Sequence, residues 1–151
     1  MRVRESTPHD EAFVLRLAVR FAEFPLPPWL ERGTVVEGTA RQLRRAFQDA
    51  TGDTAILIAE RDGEPQGFVW VYLTEDFYSG ERLGKISEIA VSADGTGAGS
   101  ALIEAAEAWV RDRGARRMVL NVMEENRNAR RFYERRGYGP EYTMMAKRLD
   151  D

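Results

Sequence analysis

Three alternating glycines, at the point where a predicted strand passes into a predicted helix, restrict this chain more than any other feature of its sequence. The segment 86–102 reads ISEIAVSADGTGAGSAL, so an apolar, β-rich stretch continues through Gly95, Gly97 and Gly99 into a helix that starts near Ser100. Glycine lets the backbone approach a ligand closely, and the first amides of a helix point outward at its positive end. The pattern favours a loop that binds phosphate.

Two familiar phosphate-binding loops do not match this segment. A P-loop carries lysine and then a hydroxyl residue directly after its last glycine, whereas Gly99 is followed by Ser100 and Ala101. A dinucleotide-binding loop has the spacing G-x-G-x-x-G, and every frame here places Ser100 or Leu102 where the third glycine belongs. A glycine-rich turn that binds no ligand stays open as an alternative.

Hydrophobic periodicity and turn residues predict an α/β protein with a hairpin-rich first half and a strand–helix–strand second half. Strands are predicted at 3–5, 54–61, 66–74, 85–92, 117–122 and 142–149. Helices are predicted from Thr7-Pro8 to the prolines at 25–28, from Thr39 to about Ala50, from Ser100 to Gly114 and from Asn126 to Arg136. The turn Asp62-Gly63 predicts that the second and third strands pair as a hairpin.

Two segments resemble motifs of the GNAT N-acetyltransferase superfamily. Ile89-Ala90-Val91 followed by the loop 97–102, GAGSAL, is similar to the acyl-CoA-binding motif of that family. The segment 126–138, NRNARRFYERRGY, resembles its later motif, with asparagine, alanine three residues on, an aromatic-tyrosine pair, and glycine before an aromatic residue. One predicted helix and one predicted strand separate the two motifs, as in the family.

The resemblance implies both a fold and an activity. The implied fold is one α/β (α+β) domain over residues 1–151, with a mixed, mostly antiparallel sheet flanked by helices. The implied activity is acetyl transfer from acetyl-CoA, as cosubstrate, to a primary amine of a small molecule or peptide by direct attack. A CoA-binding regulatory module or a catalytically inactive module of the same fold is the alternative.

The resemblance also implies a set of CoA-binding residues in the strand, the loop and the later helix. They are Ile89, Val91, Gly95, Thr96, Gly97, Ala98, Gly99, Ser100, Asn126 and Ala129. Asp94 departs from the family pattern, because it stands where members commonly carry arginine or glutamine, and a carboxylate repels a pyrophosphate. Backbone amides do not depend on side chains, so CoA binding is still expected.

Glu88 is the predicted general base. Strand alternation predicts that it shares one face with Ile86 and Ala90, and an apolar surrounding raises the pKa of a carboxyl toward the range that a base requires. Pairing with an arginine, or exposure to water, is the alternative. Tyr133 occupies the family's tyrosine position, which implies that its phenol protonates or positions the CoA sulfur; packing on a helix is its alternative.

Three aromatic residues are candidates for the walls of the acceptor pocket. Trp29 follows the proline run, and Phe77 and Tyr78 precede a Ser-Gly turn, in segments from which the family commonly builds this pocket. Packing explains them nearly as well. Acidic residues between Glu75 and Glu88 favour a cationic acceptor.

Composition excludes several other classes of function. A net charge of −3 argues against broad nucleic-acid binding, and the absence of cysteine excludes thiolate metal sites and cysteine-bound intermediates. No carboxylate-histidine cluster predicts a metal site. The chain has no apolar run of the ~20 residues that cross a bilayer and no apolar leader, so a cytoplasmic protein without membrane contact is expected. Dimers are common in the family, and a homodimer is an open possibility.

Overall fold

The chain folds into two compact units, at residues 1–121 and 122–151, and the computed structural model describes residues 1–49 and 51–150. The first unit contains the strands β1 (Arg2–Glu5), β2 (Thr54–Arg61), β3 (Glu64–Glu75), β4 (Arg82–Val91) and β5 (Met118–Leu120), and the helices α1 (Glu11–Arg16), α2 (Arg32–Gln48) and α3 (Ala98–Asp112). Short 3-10 helices at Pro8–Asp10 and Leu17–Ala22 flank α1. The second unit contains α4 (Arg127–Glu134).

The strands form one five-stranded sheet in the order β1-β2-β3-β4-β5. The first four strands are antiparallel neighbours, and β5 runs parallel to β4 after the crossover through α3. Asp62, at φ 52°, and Gly63, at φ 82°, form the tight turn of the β2–β3 hairpin, as their sequence predicts. The predicted mixed, mostly antiparallel sheet is therefore confirmed.

Helices cover both faces of the sheet. On one face, α1, the 3-10 helix that follows it and α2 pack on strand residues in a single cluster of buried side chains: Val14, Leu17, Leu43, Ala46, Ile56, Ile58, Phe68 and Ala90. Strand residues alternate between faces, so Val69 and Val71 point to the opposite side, where α3 packs. Each fully buried aliphatic side chain contributes about 1.5–3 kcal/mol by leaving water.

Helix α2 begins earlier than its sequence predicts. It starts at Arg32, so Thr39 lies inside the helix and not at its N-cap, and the predicted end near Ala50 falls outside the described residues. The guanidinium of Arg32 donates to the carbonyl of Ala22 at 2.9 Å, which ties the helix start to the end of the preceding 3-10 helix. Tertiary contact thus extends a helix through a glycine- and valine-rich stretch of low intrinsic propensity.

The predicted last strand is wrong. Within the described residues, the segment 142–149 has no strand, and Met144 and Met145 are about nine-tenths exposed, at 92% and 90%. A strand is stable only when its backbone pairs with a neighbouring strand, and the residues of a segment do not by themselves supply that neighbour.

Candidate active site

A β-bulge interrupts β4 at Ser87. Trp70 of β3 pairs with Glu88, whereas the next residue, Val71, pairs with Ile86, so Ser87 is the additional residue on β4. A bulge of this kind shifts every following side chain and amide to the other side of the strand.

Two hydrogen bonds of the strand backbone show the same shift. The amide of Gly84 donates to the carbonyl of Arg117, on the β5 side, at 2.9 Å, and the amide of Ser92 donates to the carbonyl of Gln66, on the β3 side, at 2.8 Å. Residues separated by an even number point to the same side in a regular strand. The opposite directions therefore follow from the bulge between them.

The amides of Ile89 and Val91 consequently point away from β3. The amide of Ser92 points to β3, and amide directions alternate along a strand, so the amides at 89 and 91 point to the other side. That is the side on which β5 pairs with residues 84–86 of β4. Pairing between β4 and β5 is limited to residues 84–86 of β4 in the described part of the chain. These two amides thus face the side from which the parallel strand has separated, and they can donate hydrogen bonds to a carbonyl placed there.

The bulge also decides the orientation of Glu88. Cross-strand partners share a face, so Glu88 lies on the face of Trp70, together with Ala90 and Phe68, and Ile86 lies on the opposite face. The prediction that Ile86 and Glu88 share a face is wrong, because the additional residue reverses the alternation. Burial raises the pKa of Glu88 to about 7.

Glu88 lines an open groove of about 450 Å³ between the end of α2 and strands β2, β3 and β4. The lining residues are Gln42, Asp49, Thr51, Asp53, Thr54, Trp70, Tyr72, Leu73, Ser87 and Glu88. The indole N–H of Trp70 donates to the hydroxyl of Thr54 at 2.8 Å, and the rings of Trp70 and Tyr72 lie 6.2 Å apart, which holds both aromatic walls in place. Three of the lining side chains are carboxylates, and Asp53 pairs with Arg82 at 3.1 Å.

The glycine loop has the geometry of an anion site. Gly95 and Gly97 adopt φ of 74° and 86°, a conformation that side chains other than glycine rarely adopt. The first helical bond of α3 runs from the amide of Ala101 to the carbonyl of Gly97, so the amides of residues 98–100 precede that ladder at the positive end of the helix. The hydroxyl of Thr96 accepts from the amide of Ala98 at 3.4 Å.

Two arginines from distant parts of the chain bind this loop. Arg20, in the 3-10 helix Leu17–Ala22, donates to the carboxylate of Asp94 at 2.8 Å. Arg61, at the end of β2, donates to the carbonyl of Thr96 at 2.8 Å. The loop contains no lysine or arginine, and the tertiary structure brings two guanidinium groups into contact with it.

The second unit places the later motif on α4. The side chain of Asn126 caps this helix, because its Oδ1 accepts from the amide of Ala129 at 3.3 Å. The ring of Tyr133 packs edge-to-face on Phe132 and Tyr138, with centroids 5.4 and 5.8 Å apart. Capping and packing account for these positions, and the CoA and proton-donor roles stay predictions.

The three aromatic residues predicted as walls of the acceptor pocket lie outside the groove at Glu88, and their role stays a prediction. Trp29 is 46% exposed between the 3-10 helix and α2, and Phe77 and Tyr78 are 91% and 78% exposed at the turn between β3 and β4. None of them lines the groove at Glu88. Trp70 and Tyr72 supply its aromatic walls, and the alternation of aromatic residues on the strand that pairs with Glu88 was the signal that could have found them.

Comparison with known proteins identifies the family. A family model described as the acetyltransferase (GNAT) family matches residues 17–138. The chain belongs to this family. An uncharacterized N-acetyltransferase of Bacillus subtilis, YhfO, is 29% identical over 140 residues, which cover 91% of this chain and 89% of the relative.

Solved structures of GNAT proteins share the fold. A putative acetyltransferase of Pyrococcus furiosus superposes with a TM-score of 0.77 at 26% identity and covers 98% of this chain and 99% of its own. An aminoglycoside N-acetyltransferase in complex with CoA superposes with a TM-score of 0.71 at 18% identity, over 99% of this chain and 95% of its own. That neighbour therefore holds CoA in a similar fold.

Among residues 1–49 and 51–150, no group of three or more histidine, cysteine, aspartate or glutamate side chains is arranged to hold a metal ion. The helices of these ranges include none that is long and apolar enough to span a membrane.

Proposed function

We propose that residues 1–151 act as one N-acetyltransferase domain, which moves an acetyl group from acetyl-CoA to a primary amine of a small molecule or peptide. One observation carries the proposal: Glu88, with its pKa near neutrality, lines a groove and directly precedes a strand segment in which the amides of Ile89 and Val91 point away from β3. The family match, which spans residues 17–138, supports the same reaction and the single domain.

Glu88 activates the amine. An alkyl ammonium with a pKa near ~10 is neutral in about one molecule in a thousand at pH 7, so the nucleophile must lose a proton before it attacks. A carboxyl with a pKa of about 7 is half ionised at that pH and is basic enough to accept this proton, directly or through water.

The backbone of β4 stabilises the oxyanion. Acetyl-CoA supplies the activated thioester; the amine nitrogen forms a bond to the acetyl carbon and the carbon–sulfur bond breaks. Outward amides at Ile89 and Val91 donate to the carbonyl oxygen as negative charge develops. The family's tyrosine position implies that Tyr133 returns a proton to the departing thiolate. The proposed transfer is direct, and the sequence contains no cysteine that could form an acetyl-thioester intermediate.

The groove favours an acceptor that carries positive charge. Asp49 and Glu88 present carboxylates to it, and the faces of Trp70 and Tyr72 attract cations. A protonated amine therefore gains binding energy here before it is deprotonated. Trp29, Phe77 and Tyr78 remain predictions for walls of the acceptor pocket, and a cytoplasmic location and a homodimer remain predictions as well.

Release of free thiol from acetyl-CoA, measured with a panel of amines, tests the proposal. The panel contains neutral-chain monoamines, diamines and amino acids, with a tertiary amine as the control that cannot be acetylated. We expect release only with primary amines, and faster release with diamines than with amino acids. Tyr133→Phe should lower kcat about tenfold or more and leave the Kd for CoA within twofold, because only the proton donor is lost.

The alternative is a CoA-binding regulatory or catalytically inactive module of the same fold, which has lost catalysis together with the loop cation that Asp94 replaces. Saturable CoA binding with no thiol release above the tertiary-amine control, for any amine, would establish that alternative and overturn the transferase.

A further inference from the structure

The glycine loop presents an electrostatic conflict. Asp94 projects its carboxylate to solvent, with 83% of the side chain exposed, immediately before the glycines and the positive end of α3. An anion bound at those amides would meet this negative charge, and like charges a few ångströms apart disfavour binding. The carboxylate of Asp94 weakens anion binding unless a nearby cation neutralises it.

Arg20 supplies that offset. Its Nη2 donates to Asp94 Oδ1 at 2.8 Å, and its side chain is only 29% exposed, so the guanidinium is held by the body of the unit and the carboxylate is the exposed partner. Its Nη1 also lies 3.4 Å from Glu23. Arg20 and Asp94 are 74 residues apart in the sequence, so the sequence of the loop alone does not predict that they pair.

Stability alone does not explain this pair. Exposed ion pairs contribute about 0–1 kcal/mol to folding, because water screens the charges and ordering the side chains costs entropy. The effect on an anion bound beside the loop is more direct, since one full charge is added or removed at the approach to the site.

Arg61, the last residue of β2, also binds the glycine loop. It donates to the carbonyl of Thr96 at 2.8 Å, two residues after the carboxylate that Arg20 binds. In a trans peptide the carbonyl of Thr96 and the amide of Gly97 point in opposite directions, so the bond to Arg61 fixes the direction of that amide as well.

We propose that Arg20 is a CoA-affinity determinant, which takes over the role of the missing loop cation by neutralising Asp94, while Arg61 holds the loop carbonyl in a compatible orientation. This inference rests on the proposed function, since it concerns the same CoA site. The pyrophosphate of CoA is the group whose binding the Arg20–Asp94 pair affects.

A double-mutant cycle measured by calorimetry with CoA tests the inference. Arg20→Gln should raise the Kd about fivefold, because Asp94 is left uncompensated. Asp94→Asn should bind as well as the wild type or more tightly. In the Asp94→Asn background the Arg20→Gln change should shift the Kd less than twofold, because the charge to be neutralised is gone. Arg16→Gln, which removes the same charge from a side chain that lies over the ring of Phe13, should leave the Kd unchanged.

A truncated ligand separates a charge effect from a misplaced loop. S-Acetylpantetheine lacks the pyrophosphate, so its KM should be the same for Arg20→Gln and for the wild type. If Arg20→Gln weakens both ligands equally, or if Asp94→Asn does not rescue it, the proposed role is wrong and Arg20 only supports the loop. A wild-type Kd that Arg20→Gln leaves unchanged also overturns it, without affecting the proposed transferase. A wild type that shows no saturation by CoA overturns both.

Discussion

At the scale of single residues, Glu88 makes the sharpest prediction because its ionisation is set by burial. Its pKa of about 7 means that the basic form is lost as the pH falls through neutrality, so kcat/KM should drop about tenfold per pH unit below 7. Glu88→Gln should lower kcat/KM about a hundredfold at pH 7 and abolish this inflection. Initial rates from pH 5.5 to 9 measure both effects, and Asp49→Asn, in the same groove, should keep the inflection.

The pH dependence of the free energy of unfolding gives a second test of Glu88, and it shows whether Glu88→Gln is folded. The pKa of Glu88 is raised from 4.5 to about 7, so the folded state binds more protons between these values, and the free energy of unfolding decreases as the pH rises through that window. Glu88→Gln removes this decrease and should be about 1–3 kcal/mol more stable than the wild type above pH 7. A Glu88→Gln variant that retains the inflection near 7 would remove Glu88 from the role of base. A variant that is less stable than the wild type above pH 7 would contradict the raised pKa.

At the scale of elements, the contact between β4 and α3 depends on a glycine. A Cβ added at Gly84 would lie 2.3 and 2.6 Å from the two methyl carbons of Val110, and the β-branched side chain has no alternative rotamer that frees the space cheaply. Gly84→Ala should therefore lower the free energy of unfolding by about 1–3 kcal/mol, measured by urea denaturation.

A second glycine gives a matched control for that substitution. A Cβ at Gly38, inside α2, meets nothing nearer than the flexible end of Arg41 at 3.8 Å, so Gly38→Ala should stabilise by about 0.5–1 kcal/mol through helix propensity. Val110→Ala should cost less in the Gly84→Ala background than alone, because it removes the clashing methyl groups. A Gly84→Ala variant as stable as the wild type would show that α3 is not held against β4 by this contact.

At the scale of the whole molecule, CoA binding should raise the free energy of unfolding of the chain. CoA at a hundredfold excess over its Kd adds about 2.7 kcal/mol to the free energy of unfolding, which for a domain of this size raises Tm by about 5–10 °C. We expect a single thermal transition that moves with CoA concentration, measured by scanning calorimetry. Unchanged melting at millimolar CoA would mean that the chain shares the GNAT fold and not its cosubstrate.

Local patterns predicted much of the fold. The hairpin of β2 and β3 follows from alternating apolar residues on either side of Asp62-Gly63, because such a turn needs only the residues that form it. The glycine loop and the start of α3 were predicted for the same reason. The start of α2 and the strand at 142–149 were not predicted correctly. Packing extends the helix, and the segment 142–149 forms no strand among the residues that the structure describes.

Sequence alone determined the conformations that depend on a residue and its neighbours: the left-handed glycines at 95 and 97 and the Asn126 cap. Only the tertiary structure decided the face and the pKa of Glu88, since the bulge at Ser87 is defined by the register of β3 and the burial by helices from elsewhere in the chain. It also brought Arg20 and Arg61 to the loop. Dihedral preferences act within a few residues, whereas registry, burial and charge depend on distances in space that only the completed fold establishes.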